Sequence, residues 1–274
     1  MKITNENELK TIANDVRIGI LEAVYNGKSG HPGGSLSIAD IVTVLYFNHM
    51  NIKPENPNDE ERDRFVLSKG HASPALYSIL AKRGFFDIKE LSTFRNIESK
   101  LQGHPDMTKV PGVDMTTGSL GQGLSVANGM AISAKLNKKD YRVYVALGDG
   151  EIQEGQVWEA AMTASHYKLD NLCVIVDNNN LQIDGEVSKV MNPYPIDEKF
   201  KAFGFNVINI DGHKIDEIIS ALEEAKKMKD KPTAIIAKTT KGKGVSFMEN
   251  QASWHGKAPN DEEYRMAMEV LKNG

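Results

Sequence analysis

Asp149 and Asn179 are the residues whose types and setting point most directly to chemistry. Asp149 lies in Gly148-Asp149-Gly150 and Asn179 in Asp177-Asn178-Asn179-Asn180. The apolar run Val143 to Leu147 breaks into the first turn, and the run Leu172 to Val176 breaks into the second. Between them Trp158, Ala161, Met162 and Ala164 or Ser165 recur at the spacing of one helix face. The stretch therefore reads strand, turn, helix, strand, turn. A right-handed crossover of that kind makes the two strands parallel and brings both turns to their carboxyl ends. A carboxylate and an amide oxygen on neighbouring turns are hard ligands, suited to Mg²⁺ shared with a diphosphate. The flanking glycines let such a ligand lie close to the backbone.

A second group is made of histidines. His31, His71, His104 and His255 each adjoin a glycine, which accounts for four of the 7 histidines in the chain. One such residue alone reads as a surface histidine; the recurrence carries the signal. Imidazoles move protons near neutral pH and hydrogen-bond anions, as a site for charged, polyhydroxylated substrates requires. Lys69 and Lys241 occupy similar loops and read more simply as solvated cations. His49, His166 and His213 read as structural or surface residues. Gly27-Lys28-Ser29 is no phosphate loop, because the position that motif reserves for its first glycine is Glu22, inside a helix. Gly118 to Gly123 likewise lacks the spacing of a dinucleotide fingerprint.

The elements that must hold these loops follow from periodicity. Helices are expected over 6–25, 37–48, 73–82, 214–227 and 261–272, with one of small residues (Ala127, Gly129, Ala131, Ser133, Ala134) after Gly123. Strands are expected over 64–68, 143–147, 172–176, 203–210 and 233–237. The alternation predicts one α/β domain over 1–274, a doubly wound, mostly parallel sheet with helices on both faces. With 274 residues, 40% hydrophobic content and a formal net charge of −4, the chain has the composition of a globular protein. No nucleic-acid partner is expected without a basic face, and no membrane partner without a long apolar run. The amino terminus lacks the apolar core of a signal peptide, so the cytoplasm is the expected compartment. Cys173, inside an apolar strand, reads as a buried, inert thiol.

Together these segments resemble transketolase along nearly the whole chain. Gly148-Asp149-Gly150 followed by Asn178-Asn179 is similar to the thiamine diphosphate signature of that superfamily. SGHPGG at 29–34, RFVLSKGHASPALY at 64–77, GHP at 103–105, TGSLGQGL at 117–124, KGKGV at 241–245 and SWHGK at 253–257 single out transketolases within it. The resemblance implies thiamine diphosphate as cofactor, held through Mg²⁺ (or Ca²⁺) by Asp149, the Asn179 side chain and the Leu181 carbonyl. It implies that His71, Gly150, Asn179, Lys241, His255 and the Gly118-Ser119-Leu120 backbone bind the cofactor. His31, His104 and His255 would line the substrate channel and move protons. Leu120 would lie against the thiamine, and Lys241 would help close its loop over the site.

The reaction implied is transfer of a two-carbon unit from a ketose phosphate to an aldose phosphate, with pentose phosphates as the default sugars. Full-length transketolases also carry a pyrimidine-binding domain with the glutamate that activates the cofactor, and no residue here matches it. The chain thus reads as the amino-terminal subunit of a split transketolase, with a carboxy-terminal partner chain and an α₂β₂ assembly. Gly34 and Ile183 depart from the polar residues common at those sites. The alternatives are the α subunit of a 2-oxoacid dehydrogenase, against which the histidine loops argue, and a non-catalytic diphosphate-binding module.

Overall fold

The computed structural model describes residues 2–273. Met1 and Gly274, the ends of the expected domain span, lie outside the described residues. Five strands form one parallel sheet: β1 (Arg64–Leu67), β2 (Val143–Gly148), β3 (Leu172–Asn178), β4 (Asn206–Asp211) and β5 (Thr233–Lys238). Their spatial order is β1-β2-β3-β5-β4, and every pair is parallel, with Val145 opposite Val174 and Ile175 opposite Ile235.

Alternation along these apolar runs creates two cores, because successive side chains leave a strand on opposite faces. Phe65, Leu67, Tyr144, Ala146, Cys173, Ile175 and Ile235 point to one face. There they meet α1 (Glu6–Asn26), α2 (Ser73–Arg83) and the helices at Ile215–Lys227 and Asp261–Asn273. Val66, Val143, Val145, Leu147, Val174, Val176 and Ile236 point to the other. They meet α3 (Gly123–Leu136), α4 (Gly155–His166) and the short helix Ile196–Ala202. Each buried aliphatic side chain contributes roughly 1.5–3 kcal/mol. The doubly wound parallel sheet is as the sequence predicts, and Cys173 is buried as expected.

Local sequence explains where the elements start and break. The Asn5 side chain accepts the Asn7 and Glu8 N–H groups and caps α1, whose Leu9, Ile12, Val16, Ile20 and Val24 are buried on one stripe. Over the helix expected at 37–48 the chain instead forms Ala39–Val44 and a wider π turn at Leu45–His49, preceded by a separate short helix at Pro32–Leu36. The Ser37 hydroxyl, between Pro32–Leu36 and Ala39–Val44, lies 2.6 Å from Asp177 Oδ2 and 3.1 Å from the Gly34 carbonyl, and so ties the junction to β3. In α4 the buried face is Val157, Ala160, Ala161 and Ala164. Met162 is exposed, and Trp158 lies half-buried against Phe200 and Phe203 with its N–H on the Ile152 carbonyl. The expected phase was therefore off by one residue. β4 begins at Asn206, because Phe203–Phe205 form the turn that leaves the preceding helix.

Candidate active site

The loops after β1, β2, β3 and β5 converge at the carboxyl end of the sheet, where parallel α/β folds place their ligands. They enclose a cavity of about 490 Å³ lined by His31, Lys69, His71, His104, Gly118, Leu120, Asp149, Gly150, Asn179, Leu181, Lys241 and His255, among others. Every residue singled out from sequence is brought there except Ser119. That side chain is exposed and faces a separate pocket of about 250 Å³.

Asp149 follows the last residue of β2 in Gly148-Asp149-Gly150. Its Oδ1 accepts the Gly150 N–H at 2.9 Å, and its Oδ2 accepts the Asn180 N–H from the neighbouring turn. No cationic side chain hydrogen-bonds it among the described residues. Burial, with Asp177 adding, pushes its carboxyl up to about 7. A buried carboxylate so raised favours a bound cation. The Asn179 side-chain oxygen accepts the Leu181 N–H at 3.1 Å, and the Leu181 carbonyl accepts the Lys241 ammonium at 3.0 Å. Two side-chain oxygens and a carbonyl thus sit on adjoining turns. This hard-oxygen set suits Mg²⁺ with a phosphate-bearing ligand, even though no three His, Cys, Asp or Glu groups are placed to hold a metal ion by themselves among the described residues.

Around this point stand three imidazoles. The rings of His31, His71 and His255 lie 5.1, 5.2 and 5.4 Å apart in their three pairings. Burial is the first cause holding all three below their ordinary pKa, with Lys241 opposing charge on each: His31 to about 4, His255 to about 3 and His71 well below. They are therefore neutral near pH 7, each carrying one donor and one acceptor. The Lys241 ammonium lies 3.0 Å from His255 Nδ1. Since the ammonium donates, the His255 proton resides on Nε2. His104 is held by Tyr77, whose hydroxyl donates to its carbonyl at 3.1 Å. Gly118, at φ +147°, passes so close that a Cβ would come 3.0 Å from the His104 ring.

Lys69 and Lys241 are not the solvated cations that the bland reading of their loops gives, for each is only 2% exposed. Lys69 pairs with Asp177 and donates to the Gly34 carbonyl at 2.6 Å. Burial, with Lys69 nearby, lowers Lys241 to about 8. Sequence reading missed Asp177 and Glu151. Asp177, fully buried, also accepts from Ser37 and Thr239. Glu151 accepts from Ser68 and from the Gly121 and Gly148 N–H groups, both at 3.0 Å, and so ties three loops together. Asp177 had one legible signal: an acid closing an otherwise apolar strand in a fully buried sheet. The departures also find their places. A Cβ on Gly34 would have ordinary room beside His71 and Lys69, and Ile183 lies exposed at the cavity rim.

Known proteins are similar to this chain in sequence and in fold. Residues 8–272 match the family model "Transketolase, thiamine diphosphate binding domain". The chain is 45% identical over 97% of its length, and 96% of the relative's, to one of the subunits of a 6-deoxy-6-sulfo-D-fructose transketolase from Clostridium sp. (strain MSTE9). It is 44% identical to one of the subunits of the apulose-4-phosphate transketolase from Phocaeicola vulgatus, over 95% of this chain and 92% of that one. Its structure superposes on the crystal structure of transketolase from Campylobacter jejuni with a TM-score of 0.92 at 40% identity. That match covers 98% of this chain but 43% of the other, so the chain spans about two-fifths of the single-chain enzyme.

Proposed function

Because this chain belongs to the transketolase family through its thiamine diphosphate-binding domain, we propose that it is the diphosphate-binding subunit of a two-chain transketolase. One observation carries the reading: Asp149, a buried carboxylate short of a cation, faces the neutral histidine cluster across one cavity.

In this reading Asp149, the Asn179 side chain and the Leu181 carbonyl hold Mg²⁺ or Ca²⁺. His71, Gly150, Asn179, Lys241, His255 and the Gly118-Ser119-Leu120 backbone receive the cofactor, Ser119 through its main chain only. When bound, thiamine diphosphate supplies a nucleophilic carbon and an electron sink for breaking a carbon–carbon bond next to a carbonyl. The protein's residues orient, donate and accept. Lys241 brings positive charge to the anionic end. The donors of His31, His104 and His255 meet sugar hydroxyls and the oxygen on which charge develops. A neutral imidazole can also take a proton from a hydroxyl and return it, and burial keeps these rings in that form. Leu120 gives the thiamine an apolar surface.

A second chain would cover the open side of the cavity, bring the pyrimidine-binding half and grip the anionic tail of the sugar. The relatives' full-length coverage as named subunits supports this partner. An α₂β₂ assembly, cytoplasmic and acting on phosphorylated or sulfonated sugars in pentose phosphate metabolism or a related route, completes the proposal. Among the described residues no helix is long and apolar enough to cross a membrane. Calorimetric titration with thiamine diphosphate, with and without Mg²⁺, tests the site. Binding that requires the cation supports it; equal binding with and without the cation contradicts the Asp149 assignment.

A further inference from the structure

Lys241 reaches the cavity from a loop, Thr239 to Gly244, and the loop is secured from behind by residues outside the cavity. The Thr239 hydroxyl donates to Asp177, and the Gly242 N–H donates to the Gly33 carbonyl at 3.0 Å. Two further anchors come from a buried row of charged and titratable side chains on three elements. Arg17 of α1 donates through Nε to the Lys243 carbonyl at 3.2 Å and through its guanidinium to Asp40 Oδ2 at 2.5 Å. Asp40 Oδ2 also lies 2.8 Å from His213 Nδ1, in the turn after β4. At the other side of that ring, Nε2 accepts the Thr240 N–H at 2.8 Å.

These contacts fix the tautomer. A backbone N–H can only donate, so Nε2 is the bare nitrogen and the ring proton sits on Nδ1, donated to Asp40. Asp40 is held below the usual carboxylate range by His213 and Arg17 acting against its burial. The acceptor nitrogen of His213 therefore takes the one backbone amide immediately before Lys241. That peptide leads directly into the residue whose ammonium lies 3.0 Å from both the Leu181 carbonyl and His255 Nδ1.

From this geometry we infer that His213, oriented by Asp40 and Arg17, is a positioning residue that fixes the Thr239–Gly244 loop and thereby sets Lys241 for the anionic ligand. The ligand half of the inference rests on the functional reading above; the anchoring half does not. A merely structural role for the half-buried His213 does not account for the partner its Nε2 selects.

The test uses the full chain and two variants. His213→Phe keeps an aromatic ring and removes both hydrogen bonds; His213→Gln offers a carbonyl to accept and an N–H to donate. Amide hydrogen exchange without cofactor should show the Thr240 amide accelerated about tenfold or more in the Phe variant and protected again in the Gln variant. Titration with thiamine diphosphate and Mg²⁺ should show affinity weakened about tenfold by Phe and recovered by Gln. In enzyme assembled with its partner, the cofactor KM should rise while kcat at saturating cofactor stays the same. Unchanged Thr240 exchange in the Phe variant overturns the inference, as does accelerated exchange with unchanged affinity. A wild-type chain that takes no thiamine diphosphate even when assembled with its partner overturns the functional reading, and amide exchange then decides the anchoring by itself.

Discussion

Among the described residues, the buried acids at the amino end of the sheet all close on partners within the chain, whereas at the carboxyl end Lys69 and Asp177 do so and Asp149 does not meet a cation. At the amino end, Asp63 accepts the N–H groups of Asn51 at 2.7 Å and Arg142 at 2.8 Å. Asp114 takes the Arg62 guanidinium and the Phe65 N–H at 2.8 Å, with Arg64 at 3.9 Å. Burial pushes Asp114 up, and the two arginines work against it. At the carboxyl end, Asp149 has only backbone donors, and a second carboxylate, Asp177, raises it further. Lys241, His31 and His255 stand there in or beside a cavity, all shifted toward their neutral forms. Charges that close on partners within the chain hold loops in place. Charges left short of partners around a cavity mark where a ligand completes the structure.

The largest expected effect separates these roles. Asp149→Asn should reduce Mg²⁺-dependent thiamine diphosphate affinity on the order of a hundredfold. Its stability in denaturant should be unchanged or higher, since a buried carboxylate is removed. A destabilised variant with normal affinity would place Asp149 with the structural charges. The converse is Arg62→Ala, which leaves Asp114 buried without its closest cation. It should cost about 3–5 kcal/mol in chemical denaturation, with cofactor affinity in the folded protein unaltered.

His49 provides the pH test at the amino end. Burial lowers it from 6.5 to about 4, while Glu223 opposes the shift. Below pH 6.5 the unfolded chain binds the proton first, so this group's contribution is complete above about 6.5 and is lost as the pH falls toward 4. Replacement by Gln should flatten the acid limb of the stability profile by about 3 kcal/mol, read from denaturation midpoints across that range. An unchanged limb would mean that other groups govern acid stability. The smallest effect is expected at Gly34, where a Cβ has ordinary van der Waals room. Gly34→Ala should change stability by no more than about 0.5–1 kcal/mol, in the stabilising direction.

Much of the carboxyl end was legible from sequence, because a glycine-flanked polar residue after an apolar strand declares itself locally. Asp149, Asn179 and the four histidines all stand in polar or glycine-bearing loops of that kind, and the β-branched runs Val174-Ile175-Val176 and Ile235-Ile236 declare the sheet. Partners brought together by folding were not legible. Lys69 reads as a solvated cation until Asp177, from another strand, stands beside it. Glu151 reads as one more acid in an acidic turn until Ser68, Gly121 and Gly148 surround it. His213 reads as a turn residue until Asp40 and the Thr240 amide select its two nitrogens. The contact of the Ser37 hydroxyl with Asp177 is of the same kind, since 140 residues separate the two in sequence. The phase of α4 was misread because Trp158 and Met162 are large and apolar, yet the tight approach to the sheet selects alanines.

The most direct measurement is two-carbon transfer from a ketose phosphate to an aldose phosphate, with thiamine diphosphate and Mg²⁺ present. It is run first with the purified chain alone and then after adding any companion chain recovered with it from its source. The expected result is no turnover by the chain alone and turnover once the companion is added. Full turnover by this chain without a companion would contradict the central claim that its cavity is one half of a shared site.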